Sequence, residues 1–177
     1  MYSMAMLLVG QVTTDDLFNK LVLGESKGDI KVGYTYIVRE QKPNKAYEHF
    51  WNMMERGCRG LLITRQHPDH VEKKYGPNEL KVLWLSTTLG KTYVDPHNLG
   101  SLTNIINRFV ENGSKTVIML DGIEYLLVNN DFQRLLKFIE YLNELVMDKK
   151  SMLLISIDPR ALDEKELALL ERNAQVI

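Results

Sequence analysis

The chain carries a single cysteine, Cys58, among its 177 residues. One thiol excludes an internal disulfide, and the simple reading is a reducing compartment, the cytoplasm. An excess of charge of either sign is also missing: 22 Lys and Arg stand against 23 Asp and Glu. With no basic run, neither a nucleic-acid backbone nor an anionic membrane is an expected partner. The balance also offers little electrostatic resistance to self-association. Long apolar runs are absent, since Met4–Val9 is far shorter than a membrane span and lacks both a basic flank and a small-residue cleavage site. A soluble domain without direct membrane insertion is expected. There is no internal repeat and no low-complexity segment.

Catalytic signatures are equally sparse. A phosphate loop needs a strand, a glycine-rich turn whose amides face the anion, and a helix opening on Lys-Ser/Thr. Gly90-Lys91-Thr92 has the last letters of that motif, but its first glycine would fall on Leu85, and Tyr93-Val94-Asp95-Pro96 follows instead of a helix. Gly24-Glu25-Ser26-Lys27-Gly28 has the composition without the order. Glu40–Ala46 has the right neighbours, a strand before and a helix after, yet it contains no glycine. Its Pro43 removes an amide where amides would be required. No Gly-x-Ser-x-Gly elbow occurs, and Cys58, between Gly57 and Arg59, reads as a helix-end thiol. His67 and His70 flank Pro68-Asp69, which reads as a helix start. His49 and Cys58 lack companions at metal-ligand spacing, so neither a metal nor a cofactor is expected.

What the chain does have is a regular alternation with enough apolar content, 45%, for a full core. Residues 1–33 read as an appendage, with Met4–Val9 as a strand and Leu17, Phe18, Leu21 and Val22 at helical spacing behind Thr13 or Thr14. Strands are then expected at Tyr34–Arg39, Leu61–Thr64, Val82–Leu85, Val117–Leu120 and Met152–Ile157. The helix after the first is capped by Asn44 and places Tyr47, Phe50, Trp51 and Met54 on one face. Asp95-Pro96 opens another, with Leu99, Leu102, Ile105, Ile106 and Phe109 as its stripe. Asp131 caps a long one carrying Phe132, Leu135, Leu136, Ile139, Leu142 and Val146. Shorter helices open at Pro68-Asp69 and run from about Asp163 to Asn173. Val117–Leu120 is an unbroken apolar run of the kind buried on both faces of a parallel sheet. The expected fold is therefore α/β, a three-layer sandwich around a mostly parallel sheet, spanning residues 34–177.

Every strand ends on polar residues: Glu40, Thr64-Arg65, Ser86-Thr87, Asp121 with Glu124 one turn on, and Asp158 with Arg160. A parallel sheet would gather them along its carboxyl edge, the usual place for a ligand. Two readings stand side by side. In one, Asp121 or Glu124 is a base or metal ligand and Arg65 holds an anion, with Ser86 and Asp158 lining the pocket. In the other, the same groups form a structural network, Arg65 bridging carboxylates while Thr64, Ser86 and the aspartates cap turns. Trp51 and Trp84 read as core anchors.

Several of these segments carry a resemblance. Gly60-Leu-Leu-Ile-Thr-Arg65, Leu83-Trp-Leu-Ser86, Leu120-Asp-Gly-Ile-Glu-Tyr-Leu126, Leu136-Lys-Phe-Ile139, Ile157-Asp-Pro159 and Leu170-Glu-Arg172 resemble the archaeal domain of unknown function 835 family. The resemblance covers about Tyr34 to Ile177. That family looks like a degenerate relative of the RecA-like ATPases of the archaeal KaiC group, often attached to sensory modules. The resemblance implies that Thr116–Asp121 corresponds to the strand bearing a magnesium-associated aspartate. It also implies a degenerate phosphate loop at Lys42, Pro43, Asn44 and Lys45. A non-catalytic domain working through protein partners in signalling, including a homo-oligomer, is the implied function. A nucleotide- or metal-binding domain built on the acidic cluster is the rival.

Overall fold

A computed structural model describes residues 30–75, 79–88, 90–112 and 115–177. The expected strand and helix of the appendage and the Gly24–Gly28 turn lie outside these residues. Seven strands form one sheet in the order β4-β3-β2-β5-β6-β1-β7. They are β1 (Tyr34–Arg39), β2 (Arg59–Thr64), β3 (Leu80–Leu85), β4 (Tyr93–Val94), β5 (Thr116–Asp121), β6 (Met152–Ile157) and β7 (Gln175–Val176). Every pairing is parallel.

Alternation along the strands sorts the core into two halves. Val117 and Met119 of β5 join Tyr36, Leu62 and Leu154 on one face, while Ile118 and Leu120 join Ile37, Ile63 and Ile155 on the other. The first face is covered by α1 (Asn44–Glu55) and α2 (Pro68–Tyr75). The second is covered by α3 (Leu99–Glu111), α4 (Ile123–Asn129), α5 (Phe132–Lys149) and α6 (Glu164–Glu171). Both faces of the central strands are dry, which is why these strands read as continuous apolar runs. The three-layer parallel sandwich expected from the sequence is the fold observed.

The apolar stripes pack as their spacing predicts. Ala46, Tyr47, Phe50 and Met53 are the buried face of α1, with Trp51 and Met54 partly buried against it. In α5, Leu135, Ile139, Leu142 and Val146 are joined by Phe138 and Leu145. Helix ends differ in places. Asn44 is the first residue of α1 rather than its cap; Pro43 holds the cap position and no side chain at that position bonds the helix. α3 starts at Leu99, with Asn98 accepting from the Ser101 amide, because Asp95 is engaged in its own turn, accepting from the His97 amide at 2.9 Å. Asp69 lies inside the first turn of α2, and α6 is capped by Asp163 through a reciprocal box with Glu166. β4, α4 and β7 are short elements that periodicity does not reveal.

Gly122 makes the turn from β5 into α4 with φ +134°, a conformation that disfavours a side chain, and a Cβ there would approach Leu85 Cδ1 at 3.1 Å. Gly57 closes α1 with φ +90°.

Candidate functional site

The carboxyl edge brings the strand ends together as expected, but it distributes them among separate contacts. Chain connections leave β2 toward β3 and β5 toward β6, in opposite directions, so the crevice between β2 and β5 is a switch point of the sheet. Asp121 and Thr64 end those two strands. Asp121 Oδ2 accepts from Thr64 Oγ1 at 2.9 Å and from the Tyr47 hydroxyl at 3.0 Å. Gln66 closes the group, its Nε2 donating to the Tyr47 oxygen at 3.0 Å and its amide to Thr64 Oγ1 at 3.0 Å. The switch-point crevice is thus filled by a hydroxyl–carboxylate knot.

Burial holds the Asp121 carboxyl above the usual carboxylate range; bonds from Thr64, Tyr47 and Gln66 pull it back, and the nearby charge of Glu40 pushes it up again. Burial, and next the Asp121 charge, raises the Tyr47 phenol well above its ordinary value. The Asp121 charge thus keeps the Tyr47 phenol protonated, while the Tyr47 hydroxyl favours the charged form of Asp121 against burial.

The other candidates face elsewhere. Arg65 does not bridge carboxylates: its Nη1 donates to the Leu85 carbonyl, and its guanidinium lies 3.8 Å over the Tyr125 ring. Glu124 Oε1 accepts from the Asp158 amide at 2.7 Å, tying the start of α4 to the end of β6. The Asp158 carboxylate is gripped by Arg160 through its backbone and guanidinium, which holds its carboxyl below the usual range. Ser86 Oγ accepts from the Thr88 amide at 3.1 Å, a turn cap at the end of β3. Of the five named residues, only Glu124 and Asp158 touch each other, and they do so through a backbone amide.

The loop after β1 holds the feature that sequence reasoning passed over. Pro43 and Lys42 form its turn, the Asn44 amide reaching the Lys42 carbonyl at 2.7 Å. The amides of Lys45 and Ala46, at the open end of α1, both donate to Glu40, at 2.8 and 3.1 Å to its two carboxylate oxygens. Ser156, at the end of β6, donates its hydroxyl to the same carboxylate at 3.0 Å. A helix start is a ready anion site, with free amides and a positive dipole end. Here the chain's own carboxylate occupies it. The signal was present: a strand-end glutamate preceding a helix whose cap position, Pro43, can offer no side-chain oxygen. Glu40 was legible as a polar strand end and Tyr47 as a core residue; their joint role was not.

The remaining motifs resolve as local structure. Lys91 and Thr92 lie in a turn feeding β4, with the Thr92 carbonyl accepting from the Trp84 amide. Trp84 packs edge-on to Tyr93 and His67 and donates to the Arg65 carbonyl, and Trp51 stacks 4.0 Å from Tyr75. His67 Nδ1 accepts from the Asp69 amide at 3.3 Å. Cys58 is buried, and burial pushes its thiol up. No helix among the described residues is long and apolar enough to cross a membrane.

A search of curated proteins finds no match. Among solved structures, the flagellar accessory protein FlaH from Methanocaldococcus jannaschii is similar in fold, with a TM-score of 0.54 at 17% identity over 92% of this chain and 75% of that one. The fold is RecA-like, as the resemblance implied. The family described as "Protein of unknown function (DUF835)" matches residues 39–173, and the chain belongs to it.

Proposed function

We propose that this is a non-catalytic RecA-like domain that works by binding other proteins, itself included, as a component of archaeal cytoplasmic signalling. One observation carries the reading: the Glu40 carboxylate sits on the Lys45 and Ala46 amides, where a phosphate would have to sit. An external phosphate would have to displace an internal anion that is already hydrogen-bonded three times and tethered to the adjacent strand. Glycine would let the loop backbone close on a phosphate; Pro43 and the side chains around it do not. With Asp121 bonded to Tyr47 and Thr64, the carboxylate expected to serve magnesium is also committed. Self-association is supported by the near-zero net charge and by apolar exposure at the outer edge of the sheet, where Tyr34 of β1 and Val176 of β7 are each nearly half exposed.

Calorimetric titration with ATP and GTP, with and without Mg²⁺, tests the first half, and no saturable heat is expected. A nucleotide at a hundred times its dissociation constant would add about 2.7 kcal/mol of apparent stability, so thermal unfolding would reveal it as well. Saturable binding abolished by Asp121→Asn would move the assignment to a nucleotide-binding domain using the acidic cluster. Light scattering tests the second half, with mass expected to rise with concentration through the micromolar range.

A further inference from the structure

The opposite, amino edge of the sheet holds a cavity of about 920 Å³ beneath the first residues of β2 and β3, rimmed by the last turns of α1 and α3. That volume lies within the range of small-molecule clefts. Its polar wall is cationic: Arg59, Lys81 and Arg108 stand against one carboxylate, Glu79. Leu80 and Met54, both partly buried, supply apolar surface beside them.

The Arg59 guanidinium is oriented and under-used. It lies 4.8 Å over the Phe109 ring, and its one ion-pair contact among the described residues is a long one, Nε to Glu79 at 3.7 Å. Its Nη1 is shut off from solvent with no acceptor, a state that folded proteins seldom leave unexplained. Among the described residues, the charged ends of Lys81 and Arg108 have no hydrogen-bond or ion-pair partner. Arg108 also complements the carbonyl end of α3. Lys81, on a strand, has no such role.

We propose that this cleft binds a small phosphorylated molecule whose ring or short aliphatic body rests on Leu80 and Met54. A phosphate group offers three acceptor oxygens to three cationic side chains. A carboxylate has two oxygens and one charge, which leaves a donor of this set unused. The site is independent of the Glu40 contact, because the two lie at opposite ends of the strands.

The test uses phenyl phosphate and inorganic phosphate as probes, titrated into the ¹⁵N-labelled chain with chloride-matched controls. Phenyl phosphate is expected to shift the amides of Gly57–Gly60, Lys81 and Phe109–Asn112 saturably and to bind more tightly than inorganic phosphate. Lys81→Gln and Arg108→Gln, both exposed residues, should each weaken it about tenfold, the effect of losing one charge-assisted contact. Arg134→Gln, the same loss of charge on the distant α5, should leave the affinity unchanged. Equal weakening by Arg134→Gln, or no saturable shift with either probe, overturns the proposal. Shifts confined to residues 40–46 overturn it too and count separately against the closed carboxyl edge.

Discussion

The two edges of this sheet are built from the same kinds of residues and end in opposite conditions. At the carboxyl edge each charged or polar strand end has a partner: Glu40 on two amides and Ser156, Asp121 on Tyr47 and Thr64, Glu124 on the Asp158 amide, Arg65 on Leu85 and Tyr125. At the amino edge, Lys81 and Arg108 project into a cavity, and Arg59 keeps a donor unspent. The fold by itself favours ligands at the first edge. Side-chain identity overrules that preference here, so fold likeness places the scaffold and says little about which rim is occupied.

Substitution can break this contrast. Glu40→Ala strands two helix-start amides and a serine hydroxyl, and a loss of about 1–3 kcal/mol is expected. Lys81→Ala on the other edge should change stability by less than about 0.5 kcal/mol. Urea midpoints of the two variants compare them directly, and equal losses would mean the edges do not differ as described.

Asp121→Asn sharpens the contrast through pH. Because burial raises the folded-state pKa of Asp121, the native chain binds this proton more readily than the unfolded chain does. Stability from this site is therefore greatest in acid and falls as pH rises from the ordinary carboxylate range through the raised value. The asparagine variant lacks that fall, so its stability relative to the parent should improve as pH rises above the ordinary carboxylate range. Parallel profiles would place Asp121 in water rather than in the knot. Smaller still, Arg65→Met removes an exposed cation from the Tyr125 face and should be felt by about 0.5–1 kcal/mol in a double-mutant cycle with Tyr125→Leu. Arg160→Gln should have no measurable effect on unfolding, since its bond to Asp158 is exposed and local.

The legible and illegible parts of this chain divide along physical lines. β1 and β6 match their expected spans and the Val117–Leu120 run lies inside β5, because burial on both faces writes a continuous apolar run into the sequence. The cap of α5 at Asp131 was readable for the same local reason, a short acceptor directly before a helical stripe. The carboxyl-edge gathering followed from parallel topology alone. Glu40 meeting Ser156 did not, since those residues are far apart in sequence and meet only through the β1–β6 register, where Arg39 lies beside Ile157. Arg65 was misdirected by charge: opposite signs nearby suggested a bridge, whereas a backbone carbonyl and an aromatic face took the guanidinium. The amino-edge cleft left no trace, because its three cations come from three elements with no common spacing.

Gly60 on β2 lets α1 come down so closely that a Cβ at that position would meet Met54 Sδ at 2.5 Å and Phe50 Cζ at 2.8 Å. That helix runs about 18 Å from the amides clasped by Glu40 to a last turn that borders the opposite cavity. The helix spans the sheet from one rim to the other, and a methyl group at residue 60 would first have to displace the Met54 thioether and the tip of the Phe50 ring that lie between it and β2.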